Sequence, residues 1–142
     1  MVSPSDWTTP QNDALWQDGV KTLFDPCPSG WQLPKSGTTE SGQNPWASFS
    51  VATATVNTPY PGINAGFFWN TTSAGSKVWY PAGGFRDCST GTIKQSGAHA
   101  NYRSAGLSER KTVEFTFVPN AVYPFYAHIP RAYGFFIRCV RE

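Results

Sequence analysis

A chain of 142 residues with 39% hydrophobic content is long enough for one domain around one core. Its formal charge of +2, with no run of Lys or Arg, argues against a nucleic-acid partner. No apolar stretch of about 18 residues occurs, which excludes a transmembrane helix, and the low charge (14%) with 15% aromatics excludes a disordered profile.

In chain order, Met1 to Thr9 is polar, lacks the basic and apolar regions of a signal peptide, and reads as an interdomain linker with an added Met. A single domain is then expected over residues 10–142. Pro10 to Gln17 suits a short helical turn with Leu15 and Trp16 docking and Gly19 stopping it. Asp25 to Pro34 (DPCPSGWQLP) carries Pro26, Pro28 and Pro34 and is predicted stiff and extended, with Cys27, Trp31 and Leu33 as apolar teeth. Lys35 to Pro45 reads as an exposed loop.

Ser48 to Val56 (SFSVATATV) is β-rich, Asn57 to Gly62 a turn, and Gly66 to Trp69 (GFFW) a buried strand. Asn70 to Gly75 is a hairpin-like loop into Lys77 to Tyr80, and its Asn70-Thr71-Thr72 matches a glycosylation acceptor that matters only in a eukaryotic secretory host. Val78 to Ala105 is broken by turns at Pro81–Gly84, Ser89–Gly91 and Ser96–Ala98, so it is predicted as short strands and ordered loops, the usual carriers of function. Lys111 to Val118 (KTVEFTFV) alternates Val113, Phe115 and Phe117 with Thr112, Glu114 and Thr116, which predicts a strand with one core face and one wet face. Pro119 to Arg131 reads as a long connection in which Tyr123, Phe125 and Tyr126 fill the core or form a contact patch. Tyr133 to Arg141 is predicted as the final strand.

Cys27, Cys88 and Cys139 form no CxxC, and neither His is spaced with them, so a zinc site is not expected. Cys139 shares a face with Phe135 and Ile137, and Cys27 sits in the rigid Pro-Cys-Pro passage. A bridge between them would tie the start of the domain to its last strand; two buried thiols are the alternative. Cys88, between Asp87 and Ser89, is either a partly buried small residue or a reactive thiol needing a base.

Three segments carry a resemblance: DPCPSGWQLP, YPAGGFRDCSTGTIKQSGAHANYRSA and the terminal YGFFIRCVRE, with DWTTPQNDALWQDGVKT as lead-in. Together they cover about two thirds of the chain. They resemble the Fibrobacter succinogenes major paralogous domain family, and more closely the variant that forms the C-terminal domain of lipid-anchored, fimbrillin-type surface proteins of Bacteroidales. The resemblance implies an α+β, C-type-lectin-like fold, loop-rich, with short antiparallel strands and one or two short helices. It also implies a Cys27–Cys139 disulfide, adjacent termini, and display on the outer membrane or fimbrium of a Gram-negative bacterium. This chain departs from the family pattern at Lys35 to Pro45, where a helix usually follows, and at Tyr102-Arg103-Ser104-Ala105, where Tyr-Trp-Ser-Ser is frequent.

Calcium-dependent sugar binding needs clustered acidic and amide oxygens, which the scattered acids do not supply. A metal-free aromatic platform is the alternative, with a pyranose stacked on an aromatic ring. The candidate ligand-binding residues are Trp79, Tyr80, Arg86, Asp87, Asn101, Tyr102 and Arg103. The competing readings are that Trp79 and Tyr80 are core and that Arg86 and Asp87 stabilise a turn. No Ser/His/Asp order supports hydrolysis, His99 and His128 lie in unrelated segments, and Asp87 with Glu109 or Glu114 is only a numerical carboxylate pair. The expectation is a non-enzymatic interaction domain without cofactor or metal, adhering to a glycan or to a host or bacterial surface protein. A structural module that contacts other fimbrial subunits is the alternative, and a carbohydrate-active enzyme a distant third.

Overall fold

The structure, a computed structural model, describes residues 6–36, 44–57, 60–70, 76–108 and 111–142. Its strands are β1 (Trp31–Gln32), β2 (Ala54–Asn57), β3 (Gly66–Asn70), β4 (Lys77–Pro81), β5 (Phe85–Arg86), β6 (Ile93–Lys94), β7 (Ala100–Ser108), β8 (Lys111–Val118), β9 (Ala121–Tyr126) and β10 (Val140–Arg141). Two three-stranded antiparallel sheets, β2-β3-β4 and β7-β8-β9, share one aromatic core. Two two-stranded pairs, β1-β10 and β5-β6, flank them.

Alternation along each strand builds that core. Phe67 and Trp69 of β3, Tyr80 of β4, Tyr102 of β7, and Phe115 and Phe117 of β8 meet Trp46 in one buried cluster. Phe49 stacks on Trp69 at 4.7 Å, and Trp46 on Phe115 at 5.3 Å. The polar ends of the rings are satisfied inside: Trp46 Nε1 donates to the Tyr80 hydroxyl at 3.0 Å, and the Tyr102 hydroxyl donates to the Pro81 carbonyl at 2.9 Å. Full burial of each such ring contributes roughly 1.5–3 kcal/mol, and the paired rings add about 1 kcal/mol each.

The outer edge of β7 is covered by three separate segments. Gly84 bridges Ala100, Phe136 bridges Tyr102, and the Ala105 amide donates to the Pro34 carbonyl at 2.9 Å. An edge covered in this way offers no free ladder to another chain. The Cys27–Cys139 disulfide is present, closing a sequence separation of 112 residues. It sits beside the β1-β10 pair, where Trp31 faces Arg141 and Gln32 faces Val140. The two ends of the domain are therefore adjacent.

The α+β expectation fails. The chain is nearly all β and sandwich-like, and among the described residues its only helix is a single turn of 3-10 helix at Val51–Thr53, capped by Ser50. Residues 10–17 form turns and bends instead of a helix, because Leu15 and Trp16 alone make no apolar stripe at helical spacing. The stretch read as a strand from Ser48 is strand only from Ala54, since the Ser50 capping box with Thr53 turns the chain first. The connection after Pro119 contains β9, which places Pro124 on an edge strand where a missing amide costs no ladder bond. The last strand shrinks to Val140–Arg141 with single bridges at Gly134 and Phe136. Strands β3 and β4 pair as expected; residues 71–75 between them, most of the expected loop at 37–43, and Glu109 lie outside the described residues. No helix of the described residues is long and apolar enough to cross a membrane.

The wet face expected for β8 is also absent. Thr112 and Glu114 are fully buried and Thr116 nearly so. The face opposite the aromatic core is covered by residues 129–131 and by the N-terminal segment: Trp7 and Trp16 lie on the Arg103 guanidinium, and Asp6 and Asp13 bind Arg131.

Candidate functional site

Antiparallel register splits the aromatic pairs that looked contiguous in the sequence. Phe68 faces Trp79 across β3 and β4, and Phe67 faces Tyr80. The second pair points into the core. The first lies on the outer face, half-buried, with ring centroids 4.5 Å apart. Gly66 makes room for it: a Cβ there would lie 2.4 Å from Trp79 Cη2 and 2.4 Å from the Tyr80 carbonyl oxygen, so the indole rests directly on β3.

Phe68 and Trp79 floor an open trough of about 550 Å³, walled by Ile63, Asn64, Pro81 and Ser96. Hydrogen bonds fix its walls. Ala82 N–H donates to the Ala65 carbonyl at 2.8 Å, Gly97 N–H to the Ala82 carbonyl at 2.7 Å, and Gly62 N–H to the Gly97 carbonyl at 2.9 Å. The Tyr60 hydroxyl, pushed up to about 12 by burial, ties the same wall to the Ala98 carbonyl at 3.1 Å. A second depression of about 220 Å³, lined by Phe85, Arg86, Ile93, Phe135 and Phe136, adjoins the trough through Gly83.

Of the candidate residues read from the sequence, only Trp79 belongs to the trough and only Arg86 to the neighbouring depression. Tyr80, Asn101, Tyr102 and Arg103 are each no more than 6% exposed and cannot stack on a ligand. Asp87 serves its turn: its Oδ1 accepts from the amides of Ser89 and Thr90 and from the Thr90 hydroxyl, and these bonds hold its carboxyl below the usual range. Arg86 braces the same turn by donating to the Gly91 carbonyl. Tyr123 is exposed, with Phe125 and Tyr126 half-buried. Cys88 takes no part in the disulfide, and its Sγ lies 3.8 Å from the Ser89 hydroxyl oxygen.

Sequence reading missed Phe68, Asn64 and Ser96. The apolar run GFFW suggested a buried strand, whereas the three-stranded sheet in which it is the central strand leaves the Phe68 side partly open. That exposure is set by what packs there, and no local pattern encodes it.

Arg103 and Glu114 form a second, closed polar site. Burial pushes the Glu114 carboxyl up to about 8, against the lowering effects of Asn101 and Arg103; burial pulls the Arg103 guanidinium down. Glu114 Oε1 lies 3.4 Å from Asn101 Nδ2 and from Thr116 Oγ1, and Arg103 Nη1 donates to the Arg131 carbonyl at 3.0 Å. Trp7 and Trp16 lie over it, and among the described residues the space they leave beside Arg103 and Arg131 is about 10 Å³, room for a water and not for a saccharide. Among the described residues no group of three or more His, Cys, Asp or Glu side chains is placed to hold a metal ion.

No family model matches the chain, and no curated protein or solved structure matches it.

Proposed function

We propose that this all-β domain is a non-enzymatic interaction module that binds glycan through the Phe68–Trp79 shelf, displayed on the surface or fimbrium of a Gram-negative, Bacteroidales-type cell. The observation that carries the reading is the outward-facing ring pair, tilted by 39° to each other, with the Trp79 indole seated close on Gly66 at the floor of an open trough. An aromatic face with neighbouring polar groups such as Asn64 and Ser96 suits a pyranose, whose C–H face is apolar and whose rim is hydroxyl. The disulfide supports an oxidising setting outside the cytoplasm, and the three sequence segments described above support the surface-protein setting.

The test is binding of the oxidised domain to a broad glycan panel, with Trp79→Ala and Phe68→Ala as variants and thermal melting as the folding control. Loss of at least about tenfold in affinity in folded variants is expected. A wild-type domain that binds no glycan sinks the reading.

A second reading, docking to another fimbrial subunit, is favoured by segment 20–31, where Val20, Leu23, Phe24 and Trp31 are all exposed. Leu23→Glu with Phe24→Glu would then abolish association with the parent assembly and leave glycan binding intact.

A further inference from the structure

The trough and the second depression meet at Gly83, which lines both. Trp79 and Pro81 are two residues apart on β4 and share the face that carries the trough. A Cβ on Gly83 would lie 2.3 Å from Phe136 Cε2 and Cζ, so the Phe136 ring rests directly on this backbone. That ring is 43% exposed and lines the second depression. The two rings are separate surfaces: Trp79 packs on Phe68 at 4.5 Å, and Phe136 on Tyr102 at 5.8 Å. With Gly83 four residues beyond Trp79, about 13 Å along an extended chain, they offer seats for two sugar rings rather than one.

Backbone hydrogen bonds hold both seats in place. The Arg86 amide donates to the Gly134 carbonyl at 2.8 Å and the Gly134 amide to the Arg86 carbonyl at 3.0 Å, which ties β5 to the segment carrying Phe136. Phe136 itself is fixed on β7: its amide donates to the Asn101 carbonyl at 3.0 Å, and its carbonyl accepts from the Arg103 amide at 2.8 Å. On the other side, the Trp79 carbonyl accepts from Arg138 Nη1 at 2.6 Å. Between the seats, Gly83 is half-buried, and its amide and carbonyl bond to no described residue. A backbone donor and acceptor between two apolar rings suits a glycan chain, in which apolar pyranose faces alternate with hydroxyls.

We infer that the face from Trp79 to Phe136 takes an extended oligosaccharide, with one pyranose on Trp79 and a later one on Phe136, in preference to a single sugar. This rests on the glycan reading above and adds the length of the ligand. Because both seats are preformed, the second ring binds without ordering a new surface, and its contribution shows as a gain in affinity with chain length.

The experiment titrates the oxidised domain with neutral saccharides of increasing length, from one unit to six, in homologous series built on glucose, mannose, xylose and N-acetylglucosamine. Wild type, Phe136→Leu, Phe136→Ala and Trp79→Ala are compared, with thermal melting as the folding control. In at least one series the wild-type affinity should rise at least about tenfold with length and then level off. Phe136→Ala should lose most of that gain and keep the affinity for the shortest member bound, while Trp79→Ala should weaken every length. Phe136→Leu keeps an apolar side chain over Gly83 without an aromatic face, so it gives the same readout if the alanine variant melts early. A single sugar bound as tightly as the longer members overturns the inference and leaves the trough reading standing. So does a gain with length that persists in the Phe136 variants, because repeated units on one chain raise affinity statistically without a second seat. Binding to no member of any series or of the glycan panel overturns both.

Discussion

Arg103 and Glu114 face each other in register across β7 and β8, and neither reaches solvent. An acid and a base taken out of water together are costly to hold, and they persist only where other groups compensate. Here the compensation comes from Asn101 and Thr116 beside the acid, and from the Arg131 carbonyl and two indoles around the base.

This pair predicts an unusual pH profile. Glu114 in the folded protein is raised to about 8 from 4.5, so the native state keeps a proton that the unfolded state has lost between those values. Its contribution to stability is therefore full below pH 4.5, falls as pH rises toward 8, and is flat above it. The loss is at most several kcal/mol. Denaturant unfolding at pH 5 and pH 8 should show the wild type weaker at pH 8, and Glu114→Gln should remove most of that slope. A wild-type stability that rises across this range would refute the assignment.

The two carboxylates on Arg131 should not be equivalent. Asp6 and Asp13 each lie 2.7 Å from Nη2, but their side chains are 4% and 53% exposed. Removing a buried partner leaves a buried charge uncompensated, at about 3–5 kcal/mol, whereas an exposed partner is worth about 1 kcal/mol or less. Asp6→Asn should lower the unfolding free energy by several-fold more than Asp13→Asn. Equal costs would show that the N-terminal segment is not seated on Arg131 as described.

Reduction of the Cys27–Cys139 disulfide should cost about 4–5 kcal/mol by the loop-entropy argument for its 112-residue separation, and less if the unfolded chain retains structure. The loss is read as a drop in denaturant midpoint with reductant. Alkylation of the unreduced, unfolded protein should label Cys88 alone; three labelled cysteines would rule the bridge out.

Gly66→Ala tests how the Phe68–Trp79 surface is built. Its Cβ would clash with both the Trp79 ring and the Tyr80 carbonyl oxygen, and backbone cannot give as a flexible side chain can. Loss of about 1–3 kcal/mol is expected, together with a change in tryptophan fluorescence as the Trp79 indole lifts from β3. Wild-type stability and spectrum in the variant would contradict the close approach.

The KTVEFTFV segment shows how far a local pattern reaches. Its period of two identified β8 and put Phe115 and Phe117 in the core, as found. The same pattern assigned Glu114 to water, because alternation reports polarity and not what lies above the strand. The cover comes from residues about 100 positions away in sequence, at Asp6, Trp7 and Trp16. Tyr102-Arg103 erred for the same reason: a polar, aromatic-rich loop suggested a surface, and the middle of β7 lies inside.

What the amino-acid order determined by itself was local: β-rich segments bounded by Gly and Pro, a stiff Pro-Cys-Pro start, and an inward Cys139 able to meet Cys27. The fold class was beyond its reach, since short apolar runs and broken turns suit an α+β loop-rich domain as well as two packed sheets. Only the tertiary structure decided that Phe68 and Trp79 are left facing out while Tyr80 and Tyr102 are enclosed. Exposure is a property of the partners a face finds, and those partners are brought together by sheet register and by the N-terminal segment closing over Arg103.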